Sequence, residues 1–163
     1  MDQSSKPQDR SVPSMNYGTF FMMIAAGTIV MYGLMYLNVY AADHIFFSQT
    51  RAWMAVIMGA TMAIVMLAFM WSMYPNKSVN IGILAGSAIV FALALWLVRS
   101  QATVDDVSYM KAMIPHHSIA ILTSERAGIT DPRVRKLADG IIATQKKEIG
   151  EMKGLIQDLQ NKR

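Results

Sequence analysis

Between residues 11 and 104 the only aspartate, glutamate, lysine or arginine side chains are Asp43, Arg51, Lys77 and Arg99. They divide that region into three uncharged apolar segments, at about 17–40, 52–74 and 79–98. Each is close to the ~20 residues that an α-helix needs to cross the hydrocarbon layer of a bilayer. From residue 105 onward charges are dense. This split predicts three transmembrane helices at 17–100, a polar disordered tail at 1–16 and a small aqueous helical domain at 101–163. The first apolar run is too long for the ~7–15-residue core of a signal peptide. It is therefore read as an uncleaved helix, although Val39-Tyr40-Ala41-Ala42 faintly resembles a cleavage site.

Charged residues make up 16% of the chain, against roughly 25% in soluble domains. The net charge of +4 is spread out, with no basic run to engage nucleic acid. There is no cysteine, which excludes disulfides, thiolate metal sites and cysteine nucleophiles.

Trp53, Trp71, Tyr74 and Trp96 fall near segment ends, where aromatic side chains settle at the membrane interface. Pro75-Asn76-Lys77-Ser78 reads as a tight turn, making the second and third helices an antiparallel hairpin. Ala55, Gly59 and Ala63 on one helix, and Gly82 and Gly86 on the next, form small-residue faces that permit close helix approach. Met54, Met58, Met62, Met66 and Met70 recur every four residues along the second helix. Such a stripe is either adaptable packing or a thioether path for a soft cation. With three crossings the loop holding Asp43 and His44 lies on the same side as the carboxy-terminal domain. Basic residues divide evenly between the two sides. A cytoplasmic amino terminus is expected, mainly because the ligands described next suit the extracytoplasmic space.

In the carboxy-terminal part, Thr103 or Asp105 can cap a helix running to about Ala127, with Pro115 kinking it and Gly128 ending it. Asp131-Pro132 restarts helix to about Gln160. The inward positions of this second helix are expected at Val134, Ala138, Ile141, Gln145, Glu148, Met152, Leu155 and Leu159. Ile121, Ile142 and Ile149 would then be left on outer faces. Gln145 and Glu148 interrupt the apolar seam, and burying them without partners is costly. Opposite them the first helix carries Met110, Met113, His116 and His117. Two antiparallel helices would gather Met110, Met113, His116, His117, Met152 and Glu148. Thioether with imidazole favours Cu(I), with Ag(I) as its mimic, over zinc. Solvent-exposed histidines are the plainer reading of the pair. Gln145 is expected as a supporting group and His44 as an entry group near the hairpin.

Met113-Ile114-Pro115-His116-His117-Ser118-Ile119-Ala120, with Gln145, Glu148, Ile149 and Met152 downstream, resembles the family called domain of unknown function 305. The resemblance covers about Asp105 to Ile156 and leaves out the three apolar segments. It implies a ferritin-like helical bundle and periplasmic copper or silver binding, with Met113, His116, His117 and Met152 as leading ligands. A single hairpin is half of a four-helix bundle, so a homodimer is expected. The hairpin has no Glu-x-x-His motif of the di-iron enzymes, and no enzymatic activity is expected. The resulting expectation is a membrane-anchored copper(I)-binding protein at the outer face of a bacterial inner membrane. It would buffer the metal or pass it to a copper-handling partner. The competing expectation is a structural or interaction subunit of a membrane complex with no metal role, and a third is a transporter using the methionine stripe.

Overall fold

The computed structural model describes residues 15–162. Five α-helices account for most of them: α1 (Tyr17–Leu34), α2 (Gln49–Phe69), α3 (Lys77–Ser100), α4 (Asp106–Arg126) and α5 (Pro132–Asn161). Single 3-10 turns occupy Ala42–His44 and Trp71–Met73. Each α-helix is preceded by Asn, Ser or Asp: Asn16, Ser48, Asn76, Asp105 and Asp131 each accept a first-turn backbone N–H. That satisfies one of the donors a helix start leaves orphaned. Of the tail expected at 1–16, all but Met15 and Asn16 lies outside the described residues, and Asn16 is the cap of α1.

α1, α2 and α3 are long and apolar enough to cross a bilayer. α1 ends at Leu34, short of the expected Tyr40. Arg51 donates to the Met35 carbonyl at 2.9 Å, and the Ser48 N–H donates to the Tyr36 hydroxyl at 3.1 Å. These bonds hold the two ends of the α1–α2 connection together and free its middle to reach the carboxy-terminal domain.

α2 is the central membrane helix, packed on α1 and, more extensively, on α3. Ala55, Gly59 and Ala63 are buried, as their small-residue face implies. Gly59 sits beneath Thr28 of α1, so close that a Cβ there would collide with the Thr28 hydroxyl. Gly82 and Gly86 differ: a Cβ at either meets nothing within 4 Å, and both line an open apolar groove of about 790 Å³ bordered by all three helices. Hence Gly59→Leu is expected to separate α1 from α2, while Gly82→Ala and Gly86→Ala are tolerated. Thermal unfolding in detergent checks this, with a drop for the first variant only. The methionine stripe divides in the same way. Met54 is exposed, Met62 fills the space left by Gly27, and Met66 and Met70 join a cluster at the far end of α2.

α4 and α5 form the antiparallel carboxy-terminal hairpin, and α4 continues as helix through the buried Pro115. Its core is Met110, Ile114, Ile121, Ile149, Met152 and Ile156. This corrects part of the expected seam, whose Ala138 and Met152 are buried as expected. Val134, Ile141 and Leu155 are exposed, whereas Ile121 and Ile149, assigned to outer faces, are buried. α5 is thus turned by roughly 45°, at 100° per residue, from the expected register. The cause is a third element. The α1–α2 connection packs Phe46 against the hairpin core, and Asp43 accepts from Lys153 at 2.6 Å. These contacts draw the Ile149–Ile156 side of α5 inward and leave the Leu137–Ile141 side open.

Candidate metal centre

The His-His pair divides between two environments. His116 is exposed, and its ring centroid lies 6.2 Å from that of His117. His117 turns toward α5, where its Nδ1 approaches Glu148 Oε2 at 3.2 Å. The approach lacks hydrogen-bond alignment, so the buried Nδ1 has no hydrogen-bond partner. Gln145 donates to the same Glu148 oxygen at 3.2 Å. The polar interruption of the α5 seam therefore has a partner, and that partner is His117. One turn along each helix from this contact lie Met113 on α4 and Met152 on α5. Met110 and Met152 are buried in the hairpin core, with Met113 packed against it. The interface thus brings together one imidazole, three methionines and one carboxylate, while His116 stands on the adjoining open side. Among the described residues no three His, Asp or Glu side chains are grouped to hold a metal ion. A site here depends on thioethers. The donors fit a soft monovalent ion, because an imidazole grouped with thioethers suits Cu(I) better than zinc or a hard cation.

Residues that the sequence did not single out seal the other side of the hairpin. Ser118, next to His117, is fully buried; its Oγ accepts the Tyr40 N–H at 2.7 Å and lies 2.9 Å from His44 Nδ1. With one hydroxyl hydrogen available, both contacts are satisfied when Ser118 donates to Nδ1, leaving the Nε2–H of His44 toward Asp43 at 3.9 Å. Lys153, next to Met152, binds Asp43, and the Lys146 ammonium lies 5.5 Å from the Tyr40 ring centroid. His44 thus contacts Ser118 rather than either histidine of the pair. Ser118, Lys153 and Tyr40 bear ordinary surface chemistry in the sequence, and only the fold makes them neighbours.

Burial pushes both His44 and His117 below the usual histidine range; Lys153 adds to the effect at His44, while Glu148 opposes it at His117. Their folded pKa values lie below the unfolded value, so between the two values the unfolded chain binds more protons. Stability is present above about pH 6.5 and is lost as pH falls through the folded values. Histidine NMR titration is expected to give both groups pKa values below that reference. His44→Gln should flatten the acid side of the stability profile. A folded-state pKa above the reference for either histidine would reverse the sign.

With this geometry in hand, comparison with known proteins locates the hairpin. Residues 106–163 match the model of the family described as Domain of unknown function (DUF305). The DUF305 match begins at the first residue of α4 and takes in the whole hairpin, while the three apolar helices lie outside it. An uncharacterized protein of Acanthamoeba polyphaga mimivirus is 40% identical over 77 residues, covering 45% of this chain. The chain spans about half of that relative's length, 51%. No solved structure matches.

Proposed function

We propose that this protein is a membrane-anchored Cu(I)/Ag(I)-binding protein, its hairpin held at the outer face of a bacterial inner membrane to buffer the metal or hand it to a copper-handling partner. The observation that carries this reading is His117, turned inward with its buried Nδ1 3.2 Å from Glu148, on a helix interface that also holds Met110, Met113 and Met152. Cu(I) supplies a soft Lewis-acid centre that accepts thioether and neutral imidazole donors. In this chain His117 would donate through Nε2, the ring nitrogen that does not face Glu148, and Met113 and Met152 through sulfur, while Glu148 would orient the ring from the Nδ1 side. His116 and Met110 are further donors. The test is competition for Cu(I) between the full chain in lipid nanodiscs and a calibrated chelator. Failure of the wild-type chain to compete leaves the structural-subunit reading in its place.

The reading includes a homodimer. One side of the hairpin is sealed by the α1–α2 connection. The other leaves Tyr109, Leu137, Ile141 and Leu155 exposed, beside Met113 and His116. A second hairpin on that side completes a four-helix bundle.

Sidedness has its own test. The chain has no cysteine, so Thr130→Cys in the α4–α5 turn gives a single labelling site. A membrane-impermeant thiol reagent is expected to label it in intact cells. Labelling only after lysis would place the hairpin in the cytoplasm.

A further inference from the structure

The three apolar helices gather a second group of thioethers at their end away from the hairpin, where α1 begins, α2 ends and α3 begins. Met66 and Met70 stand one turn apart at the close of α2, and Met73 follows in the 3-10 turn. Met15 joins them from before α1, its N–H donating to the Met73 carbonyl at 3.0 Å. All four border one apolar cluster whose buried members are Phe20, Ala63, Leu67 and Tyr74. Each is only partly buried. A second, independent feature marks the same place. Tyr74 is 2% exposed and fixed by ring contacts to Tyr17 at 5.0 Å and Phe20 at 5.5 Å, yet its buried hydroxyl has no hydrogen-bond partner. Neighbouring Asn80 is fully buried too, but it is satisfied: it accepts from Tyr17 at 2.7 Å and donates to the Tyr74 carbonyl at 3.1 Å. The Tyr74 hydroxyl is therefore a buried polar group that this apolar cluster leaves without a partner, which packing alone does not explain.

We propose that Met15, Met66, Met70 and Met73 form a second soft-metal site, taking Cu(I) or Ag(I), at the membrane face opposite the hairpin. It rests on the same thioether chemistry as the hairpin reading but uses none of its residues. Packing alone needs the volume of these side chains, whereas a metal site needs their sulfur. Leucine separates the two, because Met-to-Leu exchange conserves volume and apolarity.

The experiment measures Cu(I) capacity against a calibrated chelator, with the full chain in lipid nanodiscs and X-ray absorption at the copper edge. A hairpin variant carries Met113→Leu, His116→Ala and His117→Ala; a cluster variant carries Met66→Leu, Met70→Leu and Met73→Leu; a third carries both sets. The hairpin variant is expected to retain about one Cu(I) per chain with a sulfur-only first shell, in keeping with thioether ligation. The combined variant is expected to lose it. Should the triple leucine exchange disturb folding by circular dichroism, Met70→Leu and Met73→Leu singly are expected to weaken this binding by about tenfold or more, because each removes a sulfur donor and even loss of a ligand's support costs about tenfold. Equal retention by the hairpin and combined variants overturns the second site, as does a hairpin variant that binds nothing. A hairpin variant that binds as wild type, with loss confined to the cluster variant, overturns the hairpin reading and leaves this one standing.

Discussion

Alanine at His117 is expected to weaken Cu(I) binding by the hairpin by about 100-fold or more, or ~3 kcal/mol at 1.4 kcal/mol per tenfold. The effect is large because His117 is the member of the pair whose imidazole is turned into the helix interface, its buried Nδ1 3.2 Å from Glu148. Glu148→Gln should cost about 10–100-fold, the range for a group that orients a ligand without being one. Glu148 contacts His117 and is itself held by Gln145. Met113→Ala and His116→Ala should also weaken binding, because two to four donors must converge on a Cu(I) ion. None of these exchanges threatens the helix through propensity, since histidine, methionine and alanine all sit within a fraction of a kcal/mol of one another. Competition against the chelator, with helicity followed by circular dichroism, reads the outcome. If His116→Ala and His117→Ala both bind like wild type, the copper reading fails.

The parts of this fold that depend on local chemistry were readable before any coordinates. Sparse charge marks three membrane-length helices, and Asp105, Asp131 and Pro132 open the two hairpin helices. The facing of Met113 and His117 toward Glu148 and Met152 follows from helical periodicity and an antiparallel pairing. The rotation of α5 does not. Its apolar residues cover an arc wide enough to offer two seams, one through Ile141 and Leu155, the other through Ile149 and Ile156. Periodicity cannot choose between them, because the choice is made by Phe46 and Asp43, more than 90 residues away in the chain. For the same reason Ser118 was legible only as part of a motif, and its bonds to Tyr40 and His44 are long-range. The small-residue faces teach a related point. Gly59 and Gly82 occupy equivalent patterns, yet only Gly59 lies against a neighbouring helix, because α1 packs on α2 and leaves the Gly82–Gly86 side of α3 open.

Charging the open side of the hairpin is expected to convert a dimer to monomers. Leu137 and Ile141 are 65% and 36% exposed in the single chain, with Tyr109 and Leu155 also exposed beside them. Two chains packed through this side would cover Leu137 and Ile141 of each. Scaled by the exposure they still have to lose, at roughly 1.5–3 kcal/mol per fully buried side chain, that is a gross gain of about 3–6 kcal/mol. Association itself costs an estimated 4–15 kcal/mol in lost freedom, so the pair decides whether the dimer survives. Leu137→Glu with Ile141→Glu removes the gain and adds carboxylates on the side that already bears Glu148. Mass measurement in mild detergent should find dimer for wild type and monomer for this double variant. Exposed positions are being changed, so the monomer should keep its helicity and its α4–α5 core. The metal site supplies an independent readout. His116 lies on the open side, so if the dimer completes its surroundings, the double variant should also erase the sensitivity of Cu(I) binding to His116→Ala while leaving the dependence on His117. A wild-type chain that stays monomeric across a wide concentration range, or a double variant that stays dimeric, would show that this side of the hairpin is not where two copies meet.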